Sequence, residues 1–154
     1  MADNNRVNPY LGFNFIVALQ SGGGTTPVGG FSDVSGLTTE ITVAEYRAGN
    51  YSENHSHKFP SVYKTGDITL KRGVVRNTDI HDWVEAVRTT GVAGKRDSVV
   101  ITLLDETHTA VASWTLRSVM PLKWTGPTLA AKGGADVAME ELVLSAEKIE
   151  FALI

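Results

Sequence analysis

Apolar and polar positions alternate along much of the first half of the chain, which is the pattern of half-buried β-strands. In residues 13–20, Phe13, Phe15, Val17 and Leu19 alternate with Asn14, Ile16, Ala18 and Gln20. Residues 37–46 repeat the pattern, with Leu37, Thr39, Ile41 and Val43 on one face. Residues 67–72 place Ile68 and Leu70 on the same face, and Gly73 ends the run. Three half-buried strands are therefore predicted.

The second half of the chain predicts three more strands. Residues 98–104 are apolar on both faces, so we expect a central strand there. A turn at 105–109 leads to a strand at 110–120, and the prolines of residues 121–127 are expected to end its pairing. The last long strand is predicted at 136–146, with a bulge at the Glu140–Glu141 pair. The apolar tail, residues 149–154, should pack against the body.

One stretch has the periodicity of a helix. Ile80, Trp83, Val84 and Val87 follow the i, i+3, i+4, i+7 spacing of one apolar stripe. Thr78 is the expected N-cap of a helix over 79–88, and Gly91 marks its exit. Such a stripe is typical of core packing, and we do not interpret Trp83 as part of a cofactor site.

The predicted order is several strands, then one helix, then several more strands. A doubly wound parallel sheet requires strands and helices to alternate, so this order does not favour that fold. The order predicts a mainly β protein: an antiparallel β-barrel or sandwich with one short α-helix. The 154 residues are expected to form a single domain over 1–154.

Composition limits the kinds of site, compartment and partner that we expect for the protein. The chain has no cysteine, which excludes disulfides and thiolate metal sites and fits synthesis in the cytoplasm. It has no apolar run long enough for a membrane anchor. A local basic cluster, Lys64, Lys71, Arg72 and Arg76, is typical of a solvated strand edge, and no face is basic enough to predict tight nucleic-acid binding.

No stretch carries a recognisable catalytic or cofactor-binding motif. The Gly-rich residues 21–30 and 91–98 lack the spacing and the following helix of a phosphate-binding loop. No G-x-S-x-G motif occurs. His55 and His57 could belong to a metal site, but no third ligand is evident nearby, and solvent-exposed or interface histidines are the favoured interpretation. We therefore expect no enzyme activity, no cofactor and no metal.

The most informative loop is the polar segment 47–60. It combines aromatic anchors with adaptable polar groups, which is the mixture found in subunit interfaces. The interface candidates are Asn50, Tyr51, His55, His57 and Phe59. The alternative is a mobile surface loop.

Five blocks, in order along the chain, carry a resemblance to a known family. They are N-P-Y-L-G-F-N-F-I-V (8–17), G-G-F-S-D-V-S-G-L (29–37), D-I-T-L-K-R-G (67–73) followed by I-H-D-W (80–83), P-L-K-W-T-G-P (121–127) and M-E-E-L-V-L-S-A-E (139–147). Together they resemble the T4-like phage tail tube family, which includes the inner tube proteins of extracellular contractile injection systems.

The resemblance implies a β-barrel subunit of a rigid inner tube, assembling into hexameric rings that stack around a lumen. The implied partners are further copies of the chain, a sheath protein, baseplate or spike proteins and terminator proteins, with cargo protein or phage DNA in the lumen. The chain would be made in the cytoplasm and become part of a phage tail or an injection particle. The alternative is a secreted ring-forming barrel protein of a type VI-like system, acting as an effector carrier or binding module.

Overall fold

The structure is a computed structural model that describes residues 6–21, 24–27, 30–94 and 96–154. Among these residues, the strands pair only in the antiparallel sense. The strands are β1 Phe15–Ser21, β2 Gly24–Pro27, β3 Asp33–Ser35, β4 Thr39–Tyr46, β5 His57–Thr65, β6 Ile68–Gly73, β7 Arg96–Leu104, β8 Ala110–Thr125, β9 Met139–Ser145 and β10 Lys148–Leu153. Helix α1 spans Asp79–Thr90, and a 3-10 turn follows at Gly91–Gly94. The mainly β fold with one short helix is confirmed.

Strand β8 holds the architecture together because it belongs to two layers. Its first half pairs with β7 on one side and β10 on the other, and its second half pairs with β9. The change occurs at Ser118, whose φ of 52° lies in the left-handed region and turns the strand. Layer one is therefore β2-β1-β7-β8-β10, and layer two is β8-β9-β6-β3.

The core lies between these two layers. Layer one contributes Val17, Leu19, Val99, Ile101 and Leu116, and layer two contributes Ile68, Leu70, Leu142 and Leu144. Strand β7 lies between β1 and β8, as its two apolar faces predicted. At roughly 25 cal/mol per Å² of apolar surface, this shared core is the main stabilising term.

Helix α1 packs as its periodicity predicted. Ile80 and Trp83 are buried, and Val84 and Val87 pack against the same core. The Trp83 indole N–H donates to the carbonyl oxygen of Gly94 at 3.0 Å, which anchors the turn that follows the helix.

Of the two predicted helix caps, the C-terminal one is confirmed and the N-terminal one is not. Gly91 ends the helix in a positive-φ conformation, as expected. At the other end the Thr78 side chain makes no capping bond; instead Asn77 Oδ1 accepts the Asp79 N–H at 2.9 Å. The Thr78 hydroxyl donates to Asp82 Oδ2 at 3.1 Å.

Two strand boundaries and the position of one bulge in the second half were predicted wrongly. Strand β8 continues through Pro121 to Thr125 instead of ending, because a bulge between Pro121 and Lys123 accommodates the missing N–H. The bulge is therefore in β8, and β9 pairs with β6 without interruption at Glu140 and Glu141. Residues 136–138 belong to the preceding loop and not to β9.

Two features of the first half were also predicted wrongly. The stretch 37–46 gives β4, but β4 is exposed along its whole length and not half-buried. The polar loop is shorter than 47–60, because β5 begins at His57 and pairs with β4 to form a separate two-stranded sheet. The Gly-rich turn 21–30 contributes β2, which pairs with β1; its residues 22–23 and 28–29 lie outside the described residues.

Within the described ranges, none of the helices has the length and apolar character needed to cross a membrane.

Candidate assembly surfaces

The β4–β5 hairpin is the most exposed element of the protein. All eight residues of β4 and eight of the nine in β5 are exposed. Six large apolar side chains on the hairpin keep between 52% and 68% of their surface accessible: Ile41, Val43, Tyr46, Phe59, Val62 and Tyr63. A two-stranded hairpin on its own is marginally stable in water. The described residues leave these side chains mostly uncovered.

The hairpin is attached to the body through a tight neck. Gly36 has φ +87°, and a Cβ there would overlap the carbonyl oxygen of Asp67. A Cβ at Gly66 would overlap the Thr38 hydroxyl, and the Gly66 N–H donates to the Thr38 carbonyl oxygen at 3.0 Å. The two ends of the hairpin thus approach each other closely at two positions where a Cβ would overlap neighbouring atoms. The Thr65 hydroxyl, which donates to the Ala146 carbonyl oxygen, ties the neck to the end of β9.

Charges along the hairpin are matched across the strands. Glu40 pairs in register with Lys64, and Glu45 pairs with Lys58. Opposite charges directly across an antiparallel pair support the register. Because these charges compensate each other, the hairpin presents its apolar side chains without a strong net charge.

The tip of the hairpin, residues 47–59, is folded on itself. Arg47 donates from its guanidinium to the carbonyl oxygens of Tyr51, at 3.2 Å, and Glu53, at 3.0 Å. These bonds close the loop 47–56 around one cationic side chain. These hydrogen bonds within the subunit therefore offset part of the conformational entropy that is lost when the tip is ordered.

Four of the five predicted interface residues form one ring cluster at the tip. Ring centroids are 4.6 Å apart for Tyr51 and His57, 5.4 Å for Tyr51 and His55, and 6.4 Å for His57 and Phe59. Asn50 is exposed in the adjoining turn. His55 Nε2 lies 2.5 Å from Glu53 Oε2. Over the described part of the chain, no group of three or more His, Cys, Asp or Glu side chains is placed to hold a metal ion.

Strand β10 offers a second exposed surface. Among the described residues it pairs with β8 alone, so its other edge has no strand partner there. The tail was expected to pack, and its backbone does join layer one, but Phe151, Leu153 and Ile154 remain mostly exposed. Glu150 accepts bonds from Lys148 and Arg117, which together lower the pKa of its carboxyl.

The arm before β1 is held against the β7–β8 turn. The Arg6 guanidinium donates to both carboxylate oxygens of Glu106, at 2.7 and 3.0 Å, and lies 4.3 Å over the ring of Tyr10. The hydrogen bond from Arg6 lowers the pKa of Glu106 to about 2. This bidentate pair fixes where the arm leaves the body.

Three residues of the predicted basic cluster, Lys64, Lys71 and Arg76, are exposed as expected, but Arg72 is buried. Its Nε lies 2.5 Å from Glu140 Oε1, while Glu140 Oε2 accepts from Trp124 Nε1 at 3.1 Å and lies 3.5 Å from His81 Nε2. Burial alone would raise the pKa of Glu140, but the hydrogen bonds from Arg72 and Trp124 outweigh it, and the pKa is lowered. Sequence reasoning missed this pair, although the Lys71–Arg72 and Glu140–Glu141 doublets, which face each other in register, carry the signal.

A sequence profile described as T4-like virus tail tube protein gp19 matches residues 11–150. The chain belongs to the T4-like virus tail tube protein family. No curated protein sequence matches the chain.

Solved structures agree with the family. A chain of the sheath–tube complex of PVC, an extracellular contractile injection system in its extended state, is 26% identical with a TM-score of 0.78, covering 95% of this chain and 93% of that one. A chain of the tube-terminating cap of the anti-feeding prophage is 25% identical, with a TM-score of 0.80 and full coverage of both chains. A chain of the anti-feeding prophage baseplate, at 23% identity and a TM-score of 0.80, covers 96% and 97% and shares the fold.

Proposed function

We propose that this tail tube protein is the repeating subunit of a rigid inner tube, assembling into hexameric rings that stack around a lumen. In this proposal the lumen conducts cargo protein or phage DNA, and the work of the chain is self-assembly. The family supports a tube role, and the exposed hairpin carries the argument for assembly.

The hairpin supports assembly because its exposed surface is costly in a monomer. Six large apolar side chains lie more than half exposed on two strands that bury almost nothing. Soluble monomers rarely leave this many large apolar side chains more than half exposed on one element, and such exposed apolar surface marks interaction sites. In a repeating assembly, a second copy of the chain would cover this exposed hairpin surface.

Exposed sheet edges support the closure of a ring. In the described chain β3 lies at one end of the sheet path, and β10 has a free side. Unpaired edges favour pairing with another chain, and closing a sheet on itself removes them. Rings that join through two different surfaces stack without limit, so a terminator must set the length.

The partners of the tube follow from the same proposal. Its relatives are found in a sheath–tube complex, a tube-terminating cap and a baseplate. We infer that this chain likewise meets a sheath protein outside the tube, baseplate or spike proteins at one end and a terminator at the other. It would be made in the cytoplasm before it enters the particle.

The candidates Asn50, Tyr51, His55, His57 and Phe59 are proposed to contact the adjacent subunit or ring. The ring cluster and the Arg47 bonds support a preformed tip that docks with little further ordering. The alternative is a tip that stays on the tube surface without a partner.

Replacing residues 48–57 with a short Gly-Ser linker tests this role. The variant is expected to keep the circular dichroism spectrum of the body, because the neck and the core lie outside the replaced segment. Growth of tubes, followed by light scattering at raised protein concentration and with baseplate partners, should stop. Glu85→Ser, on the exposed side of α1, is the control and should assemble normally. Normal tubes from the tip variant would leave the tip as a surface loop.

A further inference from the structure

The buried carboxylate of Glu140 connects four elements of the protein. Its Oε1 lies 2.5 Å from Arg72 Nε on β6, and its Oε2 accepts the indole N–H of Trp124 on β8 at 3.1 Å. The same Oε2 lies 3.5 Å from His81 Nε2 on α1. Because Glu140 is 4% exposed, water weakens its contacts little. A change of charge at one of these neighbours therefore acts strongly on the carboxylate.

His81 is the neighbour of Glu140 whose charge can change near neutral pH. Its side chain is 45% exposed, so it exchanges protons with the solvent. Imidazole side chains ordinarily gain a proton between about pH 8 and about pH 5. A neutral ring 3.5 Å from Oε2 is beyond the usual hydrogen-bond length, whereas an imidazolium is attracted to the carboxylate over that distance. The contact between α1 and β9 should therefore strengthen when His81 is protonated.

Two charged side chains face His81 from the strands in the described part of the chain. Glu140 on β9 attracts an imidazolium, and Arg72 on β6, which binds Glu140 Oε1, opposes it. Lys123 on β8 and Glu141 on β9 stand one residue away from the cluster, and strand alternation places them on the other face of the sheet. The carboxylate is thus the strand charge in contact with His81, and the guanidinium is held on the other carboxylate oxygen.

The acidic side chains of α1 near His81 have partners or positions of their own. Asp82 accepts a hydroxyl hydrogen bond at 3.1 Å from the residue before the helix, and Glu85 pairs with Arg88 at 2.7 Å. Asp79 is two residues from His81, a spacing that places the two side chains on different sides of a helix. The pH-dependent attraction of the imidazole is therefore directed at the strand carboxylate.

Trp124 connects the cluster to the loop 126–138. Its ring centroid lies 4.7 Å from that of His81, with the ring planes at 71°. A Cβ at Gly126 would lie 3.2 Å from the six-membered ring of the indole, so Trp124 also packs against the first residue of the loop. Trp124 and His81 both approach Glu140 Oε2, and this shared oxygen joins the loop, the strand end and the helix.

We propose that His81 is a proton-sensitive link that holds α1 to the end of β8 and the start of β9 more firmly below neutral pH than above it. When the ring takes up a proton from solvent, both ring nitrogens are donors, and Nε2–H donates to Glu140 Oε2 beside the Trp124 indole. When the ring is neutral, Arg72 and Trp124 hold the carboxylate, and the hold on α1 weakens. The link is a property of the folded subunit, so it does not rest on the proposed tube function.

Hydrogen exchange of the natural chain and of His81→Gln at two pH values tests the link. Glutamine keeps a polar side chain at this half-exposed position but does not gain a proton. The unassembled proteins are labelled at low concentration at about pH 5.5 and about pH 8, a span that covers the titration of imidazole. Mass spectrometry follows the peptides that contain residues 122–125 and 139–142. Comparing both proteins at the same pH removes the intrinsic pH dependence of exchange.

The two pH values should give different results. At the lower pH these segments should exchange roughly three- to fivefold more slowly in the natural chain than in His81→Gln, the factor expected for a partly exposed ion pair. At the higher pH the two proteins should exchange alike, because the imidazole is then neutral.

Two control variants keep the result specific. His108→Asn replaces an exposed histidine in the turn between β7 and β8, where φ is 63° and asparagine is tolerated. It should exchange like the natural chain at both pH values. In a Glu140→Gln background, the further change His81→Gln should have the same effect at both pH values, because the attracting carboxylate is absent.

Every other outcome contradicts the link. An effect of His81→Gln that is equal at the two pH values would assign His81 a packing role. No effect at either pH, or a larger effect at the higher pH, would overturn the proposal outright. A pH-dependent effect that persists in the Glu140→Gln background would show that the proton acts through another group.

Discussion

Arg72 and Glu140 face each other across β6 and β9 with 2.5 Å between Nε and Oε1, and both side chains are almost completely buried. A buried ion pair is not by itself a large stabilising term, because both charges have lost their hydration. Removing one partner is a different matter, since the other charge remains buried without compensation. Arg72 also donates to the Asn77 carbonyl oxygen at 3.4 Å, and His81 Nε2 lies 3.5 Å from Glu140 Oε2, so the pair links β6 and β9 to the start of α1.

Glu140→Gln is expected to lower the free energy of unfolding by roughly 3–5 kcal/mol, because it removes the carboxylate charge that lies 2.5 Å from the buried Arg72 guanidinium. Denaturant unfolding followed by circular dichroism measures the change. The control is Glu141→Gln, one residue further along β9, which should change stability by no more than about 0.5 kcal/mol. Replacing both partners, Arg72→Met with Glu140→Leu, should cost less than Glu140→Gln alone. An equal or larger loss in the double variant would contradict the ion-pair account.

The same pair predicts a pH dependence of stability. The folded pKa of Glu140 lies below its ordinary value of 4.5, so the unfolded chain binds more protons below that pH. The contribution of the ionised carboxylate is therefore complete above about pH 4.5 and is lost as the pH falls through the folded pKa. The difference in unfolding free energy between the natural chain and Glu140→Gln should shrink on acidification. A difference that stays constant down to pH 3 would be inconsistent with the lowered pKa.

Trp83→Ala should cost roughly 3–5 kcal/mol, the range for removal of a large buried aromatic side chain. Trp83 is 1% exposed, and its indole N–H also anchors Gly94. Val92→Ala, in the turn that follows α1 and 80% exposed, is the control and should stay within about 0.5 kcal/mol. Thermal or denaturant unfolding compares the two, and a loss below about 1 kcal/mol for Trp83→Ala would contradict its place in the core.

Gly36→Ala tests the neck of the hairpin. The φ of +87° and the overlap with the Asp67 carbonyl make a Cβ unfavourable there, and strain of this kind costs about 1–3 kcal/mol. Gly12→Ala is the matched control, because a Cβ at Gly12 would meet no atom within 4 Å. Denaturant unfolding should separate the two substitutions. Equal stability of both variants would show that the neck relaxes without cost.

The elements that the sequence predicted well are those whose partners lie within the same chain. Strand β7 and helix α1 bury their apolar faces in the common core, so periodicity and burial agree. Strand β4 has the same alternation, yet the described chain provides no cover for it. Alternation reports that a face is suited to burial and does not say which molecule covers it.

The elements that were missed depend on local exceptions to sequence rules. Strand β5 contains Pro60, histidine and lysine, so its composition is that of a loop, and only pairing with β4 makes it a strand. Pro121 predicts a strand end, whereas the adjacent bulge allows β8 to continue. The candidate tip residues could be chosen from composition, but their ring cluster depends on the turn that Arg47 closes.

The central claim, that the chain assembles into stacked hexameric rings, is tested most directly by electron microscopy of the purified protein. The sample is imaged at raised concentration and again with baseplate partners. We expect end-on views with sixfold symmetry and side views of hollow tubes with a regular ring repeat. A strictly monomeric protein under every one of these conditions, with no rings and no tubes, would contradict the account.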